Sequence, residues 1–144
     1  MSDENDHSES MRIAHLTMLQ GVISRMGSNS FTLKALSATF GSAAVAIMAY
    51  ADKPSPYYAI AAVLPILIFW LMDAQYLRYE RAYRNLFNRV RKGEEIEAYD
   101  LDASPFMDKP WSVLKIAVSW SVSCFYFAIL LALGFISTLI AMEG

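Results

Sequence analysis

The sequence predicts an all-α membrane protein. It should have three transmembrane helices, an amphipathic helix ahead of the first, and a basic cytoplasmic extension of the second. Three observations carry that prediction. Apolar residues make up 56% of the chain and concentrate in three runs, more than a soluble domain of 144 residues would ordinarily hold. Residues 57–77 supply about the 20 apolar positions that a helix needs to cross a bilayer core of roughly 30 Å. Charge is blocked rather than mixed: residues 1–10 hold four acids and no base, residues 78–92 six bases and one acid, and residues 93–108 six acids and no base.

In chain order, residues 1–7 read as a frayed acidic tail. Residues 8–27 follow as an amphipathic helix, with Leu16, Leu19, Ile23 and Met26 at three-four spacing joined by Ile13 and Val22. That face either packs against the protein's own or a neighbouring subunit, or lies on the membrane surface. Gly27-Ser28-Asn29-Ser30 has the composition of a turn. The first span is residues 31–51, with Lys34 snorkelling to the interface. Ser37 and Gly41 are four apart, as are Ala38, Ser42 and Ala46, and such small-residue rows let helices approach closely in lipid.

Asp52-Lys53-Pro54-Ser55-Pro56 is short enough to force an antiparallel hairpin, with Tyr50, Tyr57 and Tyr58 as an interfacial belt. The second span, residues 57–77, contains Pro65, which predicts a kink that is either structural or a gating hinge. Asp73 is its one carboxylate. An ionised acid at membrane depth needs protein or water around it, so Asp73 is either a paired structural acid or part of a vestibule or pore mouth. Arg78, five residues on, is within reach but not ideally placed to pair with it.

The helix continues over residues 78–92 as a basic shaft carrying Arg78, Arg81, Arg84, Arg89, Arg91 and Lys92. Between them runs an apolar stripe of Tyr76, Tyr79, Tyr83, Leu86, Phe87 and Val90. The bases can pair with the acids that follow, attract anionic lipid, or bind a phosphate-bearing ligand, although no glycine-rich phosphate loop accompanies them. Residues 93–110 form an acidic connection. The third run, residues 111–141, would be about 46 Å long as one helix. Lys115 suggests that its first two turns lie at the cytoplasmic interface and that the crossing begins near Trp120. Ser119, Ser123, Ala128 and Ala132 supply a further packing face, and Cys124 reads as a small buried thiol.

Eight of the twelve lysines and arginines lie in residues 78–115 and three precede residue 35. The positive-inside rule therefore places the N-terminus and the shaft in the cytoplasm and the C-terminus on the far side. One cysteine permits no intrachain disulfide or cysteine-based metal site. No zinc-binding His pair, Cys-x-x-Cys, Ser-centred elbow or Walker-type loop occurs, and the acids of residues 94–102 lack the glycine turn of a calcium loop. The expectation is a non-enzyme without cofactor or metal, self-associating through its small-residue faces.

The segment SFTLKALSATF, followed by a second span running directly into YLRYERAYRNLFNRVRKG, resembles many small bacterial membrane proteins. In outline it is similar to the two-transmembrane SLATT effectors of nucleotide-signalling defence systems. The resemblance covers about residues 8–93, and the third span departs from it. It implies an oligomeric effector of the bacterial inner membrane that forms a pore or depolarises the bilayer during infection. It also implies a trigger by a cytoplasmic sensor protein; a signalling nucleotide is the other partner expected, and no direct binding of nucleic acid is expected. On residues alone, the other reading is an anchor whose cytoplasmic helices hold a soluble partner. Asp73 and Pro65 are the pore or gating candidates, the six bases of the shaft face ligand, lipid or partner, and Ser37, Gly41, Ser119 and Ser123 pack helices.

Overall fold

A computed structural model describes residues 2–51, 56–94 and 96–143. The chain forms α1 (Ser2–Tyr50), α2 (Pro56–Arg91), a 3-10 turn (Ser104–Phe106), α3 (Ser112–Ala117) and α4 (Trp120–Glu143), with no strand among the described residues. Three of these helices are long and apolar enough to cross a membrane. The centre of the arrangement is α2, which touches α1, α3, α4 and the 3-10 turn. The expected hairpin connection at residues 52–55 lies outside the described residues, as do Glu95 and Gly144.

The break expected at Gly27–Ser30 is absent, because α1 runs through it as one helix of 49 residues, about 73 Å long. The reason lies in its buried stripe. His15, Leu19, Ile23, Leu33, Ser37, Gly41, Ala44 and Met48 are buried and Met26 and Ser30 half-buried, so the three-four spacing passes through the Gly-Ser-Asn-Ser stretch without losing phase. Continuous packing on α2 outweighs the intrinsic cost, about 1 kcal/mol for the glycine and less for the others. Thr32 also donates its hydroxyl to the Ser28 carbonyl at 3.0 Å. Gly27 has open space around its Cβ position. Gly27→Ala is therefore expected to raise stability by about 0.5–1 kcal/mol in thermal unfolding, whereas a turn at this place would gain nothing.

The frayed tail is corrected as well, since helix begins at Ser2. Within its first turns the Ser8 hydroxyl donates to the Asn5 carbonyl at 2.9 Å. Of the expected apolar face, Leu19 and Ile23 are buried and Leu16, Val22 and Met26 half-buried, while Ile13 is exposed. At Pro65, α2 is unbroken.

The third run divides at Val118 and Ser119, just before Trp120. Ser119 turns its hydroxyl back to the Ile116 carbonyl at 2.5 Å, while its own carbonyl accepts the first N–H groups of α4, from Val122 and Ser123. Cys124 is not buried as expected: it is exposed on the outer side of α4.

Two apolar clusters hold the helices together. One contains Ala44, Ala62, Ile66, Ala74, Ile116, Ala117, Val122, Tyr126 and Leu133, and joins α1, α2, α3 and α4. The other contains Leu19, Ala82, Leu86, Val90 and Ala103, in the part of α1 and α2 that carries the basic shaft. There the returning connection covers the shaft's apolar stripe with Leu101, Phe106 and Met107.

Candidate functional site

The polar centre of the bundle is built on Asp73, which is fully buried. One helical turn separates Ser30 from Lys34, so both reach it from α1. The Lys34 ammonium lies 2.5 Å from Asp73 Oδ2. The Ser30 hydroxyl donates to Asp73 Oδ1, and Lys34 Nζ donates to Ser30 Oγ at 2.9 Å. The three side chains close a ring in which each carboxylate oxygen has a donor. A carboxylate in a span is tolerable when neutralised in this way.

Around the ring, Tyr126 of α4 is fully buried, stacks on Trp70 at 5.8 Å between ring centres and meets Phe125 edge-on. Its hydroxyl faces Asp73 and Ser37 and lies 3.4 Å from the Phe69 carbonyl. Trp70 donates its indole N–H to the Ala117 carbonyl at 2.9 Å, a group freed by the interruption between α3 and α4. Asp73 is thus the node at which α1, α2 and α4 meet.

Each predicted residue can now be placed. Asp73 pairs with Lys34, which the sequence assigned to snorkelling, and not with Arg78. Arg78 is buried and donates from Nε at 3.0 Å, and from Nη2, to the Asp108 carbonyl, fastening the acidic connection to α2. Pro65 is half-buried in the first third of α2. Arg84 pairs with Glu80 at 2.7 Å. Arg89 pairs with Glu94 at 3.3 Å and stacks over the Phe106 ring at 4.8 Å. Arg81, Arg91 and Lys92 are exposed and form no ion pair among the described residues. Ser37 and Gly41 face inward, and a Cβ on Gly41 would stand 3.3 Å from Ile129 Cγ2, so this glycine lets α1 and α4 approach. Ser119 and Ser123 are both half-buried, and the Ser119 carbonyl also accepts the N–H groups of Val122 and Ser123 at the start of α4.

Three features were missed in the sequence. The first is the Ser30–Lys34 pairing, whose signal was the four-residue spacing on an unbroken helix. The second is buried His15, whose ring meets the Asp100 carbonyl at 2.6 Å, so the bonded nitrogen, Nε2, carries the hydrogen. The third is Asp102, whose carboxyl is held below its usual value by the hydroxyl and backbone N–H of Ser104.

On the outer side of the apolar bundle, α1 and α4 leave a groove of about 360 Å³. Ala38, Gly41, Ser42 and Val45 line one wall, and Ile129, Ala132, Leu133 and Ile136 the other. Phe127, Leu131 and Phe135, elsewhere on α4, are exposed at the same level. Among the described residues no cluster of His, Cys, Asp and Glu could hold a metal ion. No protein-family model, curated protein or solved structure matches this chain.

Proposed function

We propose that the protein is an oligomeric, channel-like effector of the bacterial inner membrane, with the N-terminus and shaft in the cytoplasm and the C-terminus on the far side. The observation that carries the reading is the outward groove between α1 and α4. It is walled on one side by small residues, while bulky Phe127, Leu131 and Phe135 stand at the same depth on the same molecule. Copies inserted in parallel bring one molecule's ridge level with another's groove, and close packing of large against small residues drives association within lipid. Such a contact between unlike surfaces closes into a ring when the rotation permits. In this reading Asp73 is the bolt that holds each protomer together, and permeation runs between protomers. The trigger is a cytoplasmic sensor protein or a signalling nucleotide, in a defence response to infection.

Induced expression in cells, with membrane potential followed beside growth, tests the proposal. Depolarisation ahead of growth arrest is expected. Ala38→Leu/Ser42→Leu, which fills the groove from outside, should abolish it and lower the oligomeric mass in detergent. Depolarisation that survives the filled groove would move the interface elsewhere.

A second reading, an anchor whose cytoplasmic helices dock a soluble partner, draws on the closed Ser30–Lys34–Asp73 ring, which leaves no free charge at that level of the bundle. A steady potential at high expression, together with a soluble protein retained by the shaft, would favour it.

A further inference from the structure

The acidic connection does not neutralise the shaft. It runs back along α2, fastened by the Asp100 carbonyl to His15, by the Phe106 ring to Arg89, and by the Asp108 carbonyl to Arg78. This path lays the exposed carboxylates of Glu97, Asp102 and Asp108 along the length of helix that presents Arg81, Arg91 and Lys92. Only Glu94 of the described acids in this connection pairs with a base. Glu97, Asp102 and Asp108 form no ion pair, and neither do Arg81, Arg91 and Lys92. The stalk thus carries these three exposed bases and three exposed acids with no ion pair between them, alongside exposed Glu9 and Arg12 of α1 and Lys109 of the connection.

We infer that this region is a charge-matched interface between copies of this chain, in which Arg81, Arg91 and Lys92 of one protomer face Glu97, Asp102 and Asp108 of the next. The second copy is the occupant because its complement is in register. Protomers standing parallel in one membrane hold their acids at the height of their neighbours' bases, whereas an anionic lipid surface would leave the acids repelled beside it. Complementary exposed charge chiefly sets partner orientation and association rate, and it is screened by salt. The interface would therefore orient and gather protomers that the spans then lock. It rests on the oligomeric reading above and adds the cytoplasmic half of the contact.

The test is reversal and restoration of charge in the full chain, with oligomeric mass read by light scattering or native mass spectrometry in a mild detergent. Arg81→Glu/Lys92→Glu alone and Glu97→Lys/Asp108→Lys alone are each expected to weaken association about tenfold or more at low salt. The fourfold variant carrying both reversals should recover the oligomer, which also shows that the substituted stalk still folds. The wild-type oligomer should dissociate partly as salt is raised. Wild-type oligomers that are indifferent both to either reversal and to salt, yet lose mass when the groove is filled, would overturn the stalk contact and leave the oligomeric reading standing. A wild-type protein that is monomeric at low salt would overturn both. If Arg81→Glu/Lys92→Glu abolished binding to anionic lipid vesicles while the acid reversal left the oligomer unchanged, the basic face would belong to lipid head groups, and the inference would fail.

Discussion

Replacing Lys34 with methionine is expected to destabilise the folded protein by about 3–5 kcal/mol, because it strands the Asp73 carboxylate in the bundle. Asp73 is wholly buried and takes its main charge partner from a different helix, 39 positions earlier in the chain. The Ser30 and Tyr126 hydroxyls remain beside it, and neutral hydroxyls do not balance a carboxylate at this depth. Removing both charges, in Lys34→Met/Asp73→Leu, should recover most of the loss, to within about 1–2 kcal/mol of the parent. Reversible unfolding in detergent of the parent, the two single variants and the double variant completes a thermodynamic cycle. Independent, additive losses would mean that the pair does not hold α1 to α2. The same substitutions separate pore from bolt. A pore-lining carboxylate would change permeation with little loss of fold, whereas the bolt should lose fold first, and activity only in proportion.

Tyr126→Ala is expected to cost about 3–5 kcal/mol, comparable with the stranded charge but through packing. The ring is fully buried between Trp70 and Phe125, and no other aromatic side chain of α4 is so enclosed. In a lipid-embedded bundle the loss is one of close contacts, since exposure to acyl chains is scarcely penalised. Tyr126→Phe keeps the stack and removes only the hydroxyl, whose bond to the Phe69 carbonyl is long at 3.4 Å, so its cost should stay near 1 kcal/mol. Measuring both variants by the same unfolding assay separates the contributions. A phenylalanine as harmful as alanine would make the hydroxyl, set against Asp73 and Ser37, the dominant part.

Much of the architecture was legible because it depends on local composition. The three apolar runs correspond to three helices able to cross a membrane. The third begins its long helix at Trp120, where the excess length of the run and Lys115 had suggested. Of the stripe from Tyr76 to Val90, Leu86 and Val90 are buried and the others half-buried, in keeping with helical spacing. The turn read at Gly27–Ser30 failed for a definite reason. Gly, Ser and Asn interrupt a helix by small amounts each, and a buried face that stays in phase across them against a continuous partner exceeds that sum. Cys124 failed for another: an apolar run in a span has a lipid-facing side as apolar as its protein-facing one, so hydrophobicity alone does not indicate which residues are inside.

By itself the sequence determined the helical class, the number of apolar segments and the blocking of charge, because these are sums over neighbouring residues. The partners of the charges were decided only by the tertiary structure. Lys34 meets Asp73, Arg78 is spent on the Asp108 carbonyl, and Arg81, Arg91 and Lys92 are left without acids. The physical reason is that pairing depends on how one helix is rotated and shifted against another. That register is set by the packing of Leu19, Leu86, Ser37 and Tyr126, residues far apart in sequence whose fit no single segment encodes.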